Sequence, residues 1–279
     1  MSNFQKVDPA EKARKEKNMK DNFARIKHKL IVISGKGGVG KSTVAVNLAF
    51  GLALSGKKVG ILDVDIHGPS TAKMLGIEGK RLPMSEKTKN PNPIHVYENV
   101  YALSLASLMP NADEPVIWRG PLKMGAIKQF MQDIEWPELD YLVIDSPPGT
   151  GDEPLSVVQI FDKLDGSIIV STPQDVAFLD ARKTIKFSHK LDLPVIGLIE
   201  NMSGFVCPHC GEKIDIFEGS GAEKASKDFN VDILGKIPID KNIVKTGDSG
   251  RPYIYDFSKL PAAQAMNQIA ENIMKKEEK

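Results

Sequence analysis

Residues 35–43 read Gly-Lys-Gly-Gly-Val-Gly-Lys-Ser-Thr and contain the phosphate-loop pattern Gly-x-x-x-x-Gly-Lys-Ser. An apolar, β-branched run at 30–34 precedes this loop, and apolar residues at helical spacing follow it from 42 to 55. A strand that leads through a glycine loop into a helix presents backbone N–H groups and the positive end of the helix dipole to phosphate oxygens. The stretch therefore predicts a binding site for a nucleoside triphosphate.

The glycines of this loop let the chain turn tightly against a phosphate, and its polar residues supply specific contacts. Lys41 is expected to reach the β- and γ-phosphates, and the Ser42 hydroxyl is expected to ligate Mg²⁺. The backbone of the cradle comes from Gly35, Gly37, Gly38, Val39 and Gly40. The alternative is a glycine-rich turn that matches by chance, and both flanks of the loop argue against it.

Composition limits the other function classes. The chain has 279 residues, 41% of them hydrophobic, and a formal net charge of +1. Interspersed, nearly balanced charge produces no strong field towards nucleic acid or a membrane. The sequence has no apolar run long enough to span a bilayer, and its N-terminus is charged rather than signal-like. With two cysteines in all, we expect a reducing, cytoplasmic setting and neither nucleic acid nor membrane as a partner.

Strand and helix patterns alternate beyond residue 28. Apolar runs predict strands at 30–34, 58–62, 100–105, 140–145, 166–171, 194–199 and 232–236. Helical spacing predicts helices near 42–55, 121–134, 153–162, 175–191, 220–229 and 258–276. This order predicts an α/β fold, with a mostly parallel sheet and helices on both faces. We expect one ATPase domain at 29–279, a polar, solvated extension at 1–28 that is partly helical or disordered, and a long surface loop at 79–99 without an assigned role.

Acidic residues follow two of the predicted strands, where a phosphate loop needs carboxylates for Mg²⁺ and water. Asp63 and Asp65 end one apolar run, and Asp145 ends another that leads into a loop rich in proline and glycine. Aspartate is also common in turns and at helix N-termini. The whole context of Asp145 is that of a Walker B strand, so we expect it to hold the Mg²⁺ shell through water. Gly149 stands where a loop that senses the γ-phosphate offers its N–H.

Both cysteines occur in one short segment, Cys207-Pro208-His209-Cys210-Gly211. The spacing lets two thiolates converge on one metal ion, but zinc sites and iron–sulfur clusters use four protein ligands. Histidines and carboxylates of the same chain, or the cysteines of a second copy, must supply the others, and two copies are the simpler solution. A redox dithiol or two inert thiols are the alternatives. Sequence alone does not separate zinc from iron–sulfur, since both favour four thiolates.

A second lysine in the phosphate loop, Lys36, resembles the deviant loop of the MinD, ParA, nitrogenase iron protein and arsenite-pump ATPases. The resemblance implies the fold of that P-loop NTPase group, and a lysine that reaches across a dimer to the partner's nucleotide. A solvated lysine on an exposed loop is the alternative. In related ATPases an asparagine at the end of a strand reads the adenine base, which makes Asn201 a candidate for that role. It is otherwise an ordinary turn residue.

Several segments together resemble the Mrp/ApbC family of iron–sulfur carrier ATPases over residues 25–275. They are residues 35–43, 63–70, 116–125, 145–152, 172–181 and 201–210. The resemblance implies a homodimer, or a heterodimer of paralogues, that bridges a labile [4Fe–4S] cluster through Cys207 and Cys210 and passes it to apo-proteins with ATP hydrolysis. It adds Thr43 to the nucleotide-binding residues. It favours Asp65 over Asp63 for orienting the attacking water, and leaves Asp63 a structural role.

Two further functions fit parts of this pattern. A positioning ATPase of the MinD or ParA kind needs a membrane helix or a basic surface. The apolar spacing within 262–279 is explained equally well by packing on the sheet. A zinc-bridged dimeric ATPase needs the same thiolates without any transfer. Residues 118–121, Trp-Arg-Gly-Pro, also resemble a family segment, and we assign them no role beyond a packed tryptophan and a helix start.

Overall fold

The structure is a computed structural model that describes residues 9–65, 68, 70–105, 120–161, 163–207, 209–217 and 219–277. The strands in this part of the chain are β1 (Ile26–Ile33), β2 (Val59–Asp63), β3 (Ile94–Tyr97), β4 (Val100–Ser104), β5 (Leu139–Asp145), β6 (Gly166–Ser171), β7 (Val195–Val206), β8 (Lys213–Ile214) and β9 (Ile233–Ile239). The helices are α1 (Pro9–Ala24), α2 (Lys41–Leu54), α3 (Ser70–Met74), α4 (Gly120–Asp133), α5 (Asp152–Ile160), α6 (Asp175–Lys190), α7 (Gly221–Phe229), α8 (Lys241–Asp248), α9 (Tyr253–Asp256) and α10 (Pro261–Glu277).

All of these strands join one nine-stranded sheet in the order β3-β4-β2-β5-β1-β6-β7-β8, with β9 also paired to β7. Strands β4, β2, β5, β1, β6, β7 and β9 run parallel to their neighbours, whereas β3 and β8 are antiparallel. The expected mostly parallel α/β fold is therefore confirmed. The loops after β1, β2 and β5 meet at one edge of the sheet, since the carboxyl ends of parallel strands share an edge.

Side chains of the central strands enter two cores, one on each face of the sheet. Leu30 and Val32 of β1 pack with α2, α9 and α10. Ile31 and Ile33 pack with α1, α4, α5, α6 and α7. Because both faces are covered, these strands read as continuous apolar runs rather than as alternating ones.

The N-terminal region corrects the expectation of a solvated extension at 1–28. Residues 9–24 form α1, which buries Met19 and Phe23 in the second core. The Asn22 amide also donates a hydrogen bond to the Ile134 carbonyl at 2.6 Å. The strand β1 begins at Ile26, so the boundary expected between residues 28 and 29 falls inside a strand.

Two other expectations need correction. The surface loop expected at 79–99 contains β3, which adds the outer antiparallel strand to β4. The strand expected to end at residue 199 continues to Val206 as β7, so Asn201 lies within a strand and not in a turn. No helix in the described ranges combines the length and the apolar character needed to cross a membrane.

Candidate functional site

The phosphate loop joins β1 to α2 in a glycine conformation. Gly38 and Gly40 have φ values of 81° and 82°, in the left-handed region that favours glycine. A Cβ at Gly35 would lie 2.6 Å from the Asp180 carbonyl oxygen, so only glycine fits against α6 there. Gly40 gives α2 no side-chain cap, which leaves the first-turn N–H groups available to a ligand.

The lysine at the end of the phosphate loop forms a buried ion pair with the acid that ends β5. Lys41 Nζ pairs with Asp145 Oδ1, and these side chains are 7% and 1% exposed. The other carboxylate oxygen accepts a hydrogen bond from the Thr71 hydroxyl at 3.0 Å. Thr71 belongs to α3, so the Walker B acid links the phosphate loop to the segment that follows β2.

Asp63 lies beside this pair, since it is in register with Asp145 on the adjacent strand. It accepts hydrogen bonds from the Ser104 hydroxyl at 3.1 Å and from the Asp65 N–H at 3.0 Å. Burial, and then the charge of Asp145, raise the pKa of Asp63 well above its usual range despite these bonds and the nearby Lys41 ammonium. Asp63 is thus buried at the carboxyl end of β2, and its raised pKa favours the neutral carboxylic acid.

Asp65 lies two residues after the end of β2, in the loop that leads to α3. It is 8% exposed, and its Oδ1 accepts the Gly68 N–H at 3.2 Å. This places the carboxylate in the loop between β2 and α3, on the same edge as Asp145. Residues 66, 67 and 69 of that loop lie outside the described residues.

The loop after β5 contacts the phosphate loop directly. The Gly149 N–H donates to the Ser34 carbonyl at 2.8 Å, and Gly149 has a φ of 96°. The amide expected to sense a γ-phosphate is therefore engaged with the residue that precedes the cradle. A phosphate that took this N–H would have to displace the Ser34 carbonyl.

Asn201 reaches the phosphate loop from β7. Its amide Nδ2 donates to the Val39 carbonyl at 2.9 Å and packs directly on Gly40. A side chain at Gly40 would collide with that amide. The hydrogen bond from Asn201 therefore connects the phosphate loop at Val39 to β7.

Lys36 is partly exposed within the loop. Its carbonyl accepts the Ser34 hydroxyl at 2.9 Å, which fixes the backbone on either side of Gly35. Among the described residues, its ammonium has no ion-pair partner. The side chain is therefore available to a group outside this set.

Cys207 and Cys210 lie at the tip of a hairpin formed by the end of β7 and by β8. Val206 pairs with Lys213 at its base. The Gly211 N–H donates to the Cys207 carbonyl at 2.9 Å, and Gly211 has a φ of 75°. This turn places the two cysteines close together at the tip, with Cys210 exposed and Cys207 half-buried.

The turn also activates a thiol. Backbone N–H groups of Cys210 and His209 lower the pKa of Cys207, which favours the thiolate that binds metal. The described residues contain no group of three or more histidine, cysteine or acidic side chains that would hold a metal ion. In this part of the chain the hairpin therefore offers two thiol ligands and no third.

A mostly apolar recess of about 330 Å³ lies beside the last residues of β7, where this strand leads into the cysteine hairpin. Its walls include Phe205 and Val206 of β7, Pro238 and Ile239 of β9, and Leu260 before α10. Asn201 is paired with Ile237, one step before this wall on β9. The strand β7 therefore contacts the cradle, lines the recess and carries the cysteines in that order.

Three contacts of the site were not predicted from the sequence. They are made by Thr71 to Asp145, by Ser104 to Asp63 and by Asp180 to Gly35. Thr71 directly follows one of the segments that resemble a known family, which is the only signal for it. The segment 116–119 lies outside the described residues, and so does the side chain of Pro121.

Sequence comparisons identify relatives over almost the whole chain. The family described as "ParA: NUBPL iron-transfer P-loop NTPase" matches residues 25–274. An iron–sulfur cluster carrier protein of Methanocaldococcus jannaschii is 48% identical over 266 residues, which cover 95% of this chain and 90% of the relative. The carrier protein of Pyrococcus horikoshii is 46% identical over 284 residues, with coverage of 97% and 92%.

Solved structures show the same fold. A nucleotide-binding protein from Archaeoglobus fulgidus in complex with ADP has 36% identity and a TM-score of 0.76, with coverage of 89% of this chain and 95% of that one. MinD from Pyrococcus horikoshii in complex with Mg-ADP has 23% identity and a TM-score of 0.66, with coverage of 90% and 97%. At that identity the likeness to MinD concerns the fold alone.

Proposed function

The chain belongs to the family of iron-transfer P-loop NTPases described as ParA and NUBPL, and from that premise we propose that it is an ATP-hydrolysing carrier that passes iron–sulfur clusters to apo-proteins. One observation carries the proposal. The strand β7 holds Asn201 against the phosphate loop and, six residues later, begins the turn with Cys207 and Cys210. A nucleotide site and a pair of metal-binding thiols thus share one strand.

ATP binds in the cradle of residues 35–43 with its phosphates at the N-terminus of α2. Lys41 and Asp145 are the groups that fit Mg-ATP, because a buried ammonium and carboxylate can be shared between phosphate and metal. Ser42 would ligate Mg²⁺ and Asp145 would hold its water shell. The ion supplies charge stabilisation to the transferring phosphoryl group. We place the adenine base in the mostly apolar recess, whose wall on β9 begins at Pro238, one residue after the strand partner of Asn201.

Hydrolysis needs an oriented water and a cation near the transferring phosphoryl group. Asp65 orients the water. Asp63 holds Asp65 in place, because it accepts a hydrogen bond from the Asp65 N–H. Lys36 supplies the cation to the nucleotide of a second copy. That role suits an ammonium without an ion-pair partner among the described residues of its own chain. A cation given in trans accelerates phosphoryl transfer by roughly 10³ to 10⁵ in other P-loop enzymes.

The cargo is a [4Fe–4S] cluster held by four thiolates, two from each copy of a homodimer. The hairpin supports sharing between two copies, because it offers two thiols and no third ligand among the described residues. The family supports iron–sulfur rather than zinc. Because Cys210 is exposed and both ligands lie on a hairpin tip, the cluster is accessible to an acceptor protein. We place this exchange in the cytoplasm, where thiols stay reduced.

Anaerobic reconstitution with iron and sulfide tests the proposal. The wild-type chain and a Cys207→Ala/Cys210→Ala variant are compared by visible spectrum, by iron and sulfide content, and by mass in size-exclusion chromatography. We expect a brown dimer with about four irons for two chains, and a colourless variant. A wild-type chain that stays colourless and retains zinc instead would make the hairpin structural and leave a zinc-bridged ATPase.

Delivery is tested in a second step. The reconstituted dimer is mixed with an apo-ferredoxin as the recipient, with and without an iron chelator. Transfer that continues in the presence of chelator is direct. Transfer that the chelator abolishes would show that iron is released to solution, and the chain would not act as a carrier.

A further inference from the structure

The strand β7 is not regular between the phosphate loop and the cysteines. Asn201 pairs with Ile237 of β9, but the next pair joins Phe205 to Ile239. Four residues of β7 thus span the length of two residues of β9, which is a bulge. We call residues 202–204 the bulge.

The bulge contains two residues in the left-handed region. Met202 has a φ of 58° and Gly204 a φ of 76°. Glycine adopts this conformation freely, whereas methionine is strained in it. An observed strain of this kind persists only where surrounding contacts hold it, and it is typical of segments that switch.

The contacts that hold the bulge come from one buried carboxylate. Glu200 is 2% exposed, and its Oε1 accepts the Ser203 hydroxyl at 2.6 Å. Lys236 of β9 lies 3.2 Å from the same oxygen and also pairs with Glu223 of α7. Burial opposes the charge of Lys236, but bonds to Glu223 and Glu200 outweigh it and raise its pKa. We call Glu200, Ser203 and Lys236 the clamp; it joins β7 to β9 and, through Glu223, to α7.

This clamp is incompletely satisfied. No donor among the described residues reaches the second carboxylate oxygen of Glu200, which is buried. A buried acceptor without a donor costs free energy, so an arrangement that brought a donor to it would be favoured.

Glu200 and Asn201 are neighbours on β7 and point to opposite faces of the sheet. On one face Asn201 contacts the phosphate loop, and on the other Glu200 holds the clamp. Phe205 and Val206, which follow the bulge, line the recess and precede Cys207. The bulge lies between Asn201 and Cys207 along the chain. A displacement of Asn201 that is transmitted along β7 therefore passes through the bulge before it moves the cysteines.

We propose that Glu200, Ser203 and Lys236 are positioning residues that set the direction in which β7 leaves the sheet, and that nucleotide changes this direction through Asn201. The inference rests on the proposed carrier function and names its regulation. According to this proposal, ATP controls the rate at which the two hairpins release the cluster, without any contact between nucleotide and cysteine. Loss of the clamp uncouples the two sites and leaves each of them able to bind.

The test measures how fast an iron chelator removes the cluster from the reconstituted full-length chain. Rates are compared without nucleotide, with Mg-ADP and with Mg and a non-hydrolysable ATP analogue, and the visible circular dichroism of the cluster is recorded in each state. We expect the wild-type rates to differ about fivefold or more between states. In Ser203→Ala and in Lys236→Met they should agree within about twofold, with nucleotide affinity unchanged, and Ser203→Thr should restore the wild-type ratio.

Lys27→Met is the matched control. Lys27 forms an exposed ion pair with Asp140 near the amino-terminal ends of β1 and β5, away from the loops at the carboxyl ends of these strands. It should keep the wild-type ratio. If Ser203→Ala and Lys236→Met also keep it, the inference is overturned. A wild-type chain that binds the cluster but releases it at one rate in all states overturns the inference and leaves the carrier function intact. A wild-type chain that binds no cluster overturns the proposed function, and the inference with it.

Discussion

Lys41 and Asp145 form an ion pair in the interior of the proposed nucleotide site, with side-chain exposures of 7% and 1%. Lys41 is the first residue of α2 and Asp145 the last residue of β5, so the pair joins the start of this helix to the end of this strand. In the proposed complex, phosphate and Mg²⁺ would compete with this pair for the same two side chains. The residues proposed to bind nucleotide therefore also contribute to the stability of the fold.

Lys41→Met should destabilise the chain even in the absence of nucleotide. It leaves the buried Asp145 side chain beside Asp63 without its ammonium partner, and loss of one partner of a buried pair costs about 3–5 kcal/mol. Urea unfolding measures the change. The double variant Lys41→Met/Asp145→Asn should be more stable than Lys41→Met, since it also removes the carboxyl group that lost its partner. Equal destabilisation in the single and double variants would show that the pair does not act as a unit.

Lys36→Ala should lose ATP hydrolysis by roughly 10³-fold or more and keep nucleotide binding. Its ammonium has no ion-pair partner among the described residues, so removal disturbs nothing in its own chain that the structure records. Asp65→Ala should lose turnover as well, because it no longer orients the water. Steady-state hydrolysis and equilibrium binding of a fluorescent nucleotide separate the two steps.

Mixing these variants decides whether Lys36 acts across the dimer. In a mixed dimer, the subunit with Lys36→Ala keeps Asp65 and receives Lys36 from its partner, which completes one site. An equimolar mixture should therefore recover about one quarter of wild-type turnover. If Lys36 acts within its own chain, no mixed dimer has a complete site and the mixture stays inactive.

Asp63→Asn should change how stability depends on pH. Burial and Asp145 raise the pKa of Asp63 in the folded chain above its unfolded value of about 3.9. The folded chain then holds a proton that the unfolded chain has released, so this residue lowers stability as the pH rises above about 4. The variant lacks this loss and should gain stability relative to wild type between pH 4 and pH 8. Unfolding curves whose separation is constant over this range would contradict the shift.

The loops of the proposed nucleotide site could be located in the sequence because each is a local motif. Glycines, a lysine and strand-end acids at fixed offsets need no knowledge of distant residues. The contacts of Ser104 to Asp63 and of Thr71 to Asp145 were not predictable. They depend on the strand order β4-β2-β5-β1, and the alternation of strands and helices does not determine that order.

The extent of β7 was underestimated for a different reason. Its apolar run ends near residue 199, and Glu200, Asn201, Ser203 and Gly204 then give no strand pattern. The strand continues because its backbone pairs with β9 and then with β8. Pairing with neighbours that lie later in the sequence thus extends a strand beyond its own propensity.

The sequence of α1 predicts a solvated extension, because charged residues dominate it and its apolar residues are sparse. Phe23 illustrates the packing that nevertheless holds this helix on the domain. Its ring is 7% exposed and lies 4.8 Å from that of Phe161, measured between centroids. Tertiary packing, rather than helix propensity, therefore decides the structure of this segment.

Phe23→Ala should cost about 3–5 kcal/mol of unfolding free energy, as expected for a large side chain removed from a packed core. Val244→Ala is the control, because Val244 is a hydrophobic residue that is 67% exposed and should change stability by less than about 0.5 kcal/mol. Urea unfolding measures both. Since α1 packs on α4 and covers the face of the sheet away from α2, nucleotide affinity should stay at its wild-type value in Phe23→Ala. A variant as stable as the control would return residues 9–24 to the role of a solvated extension.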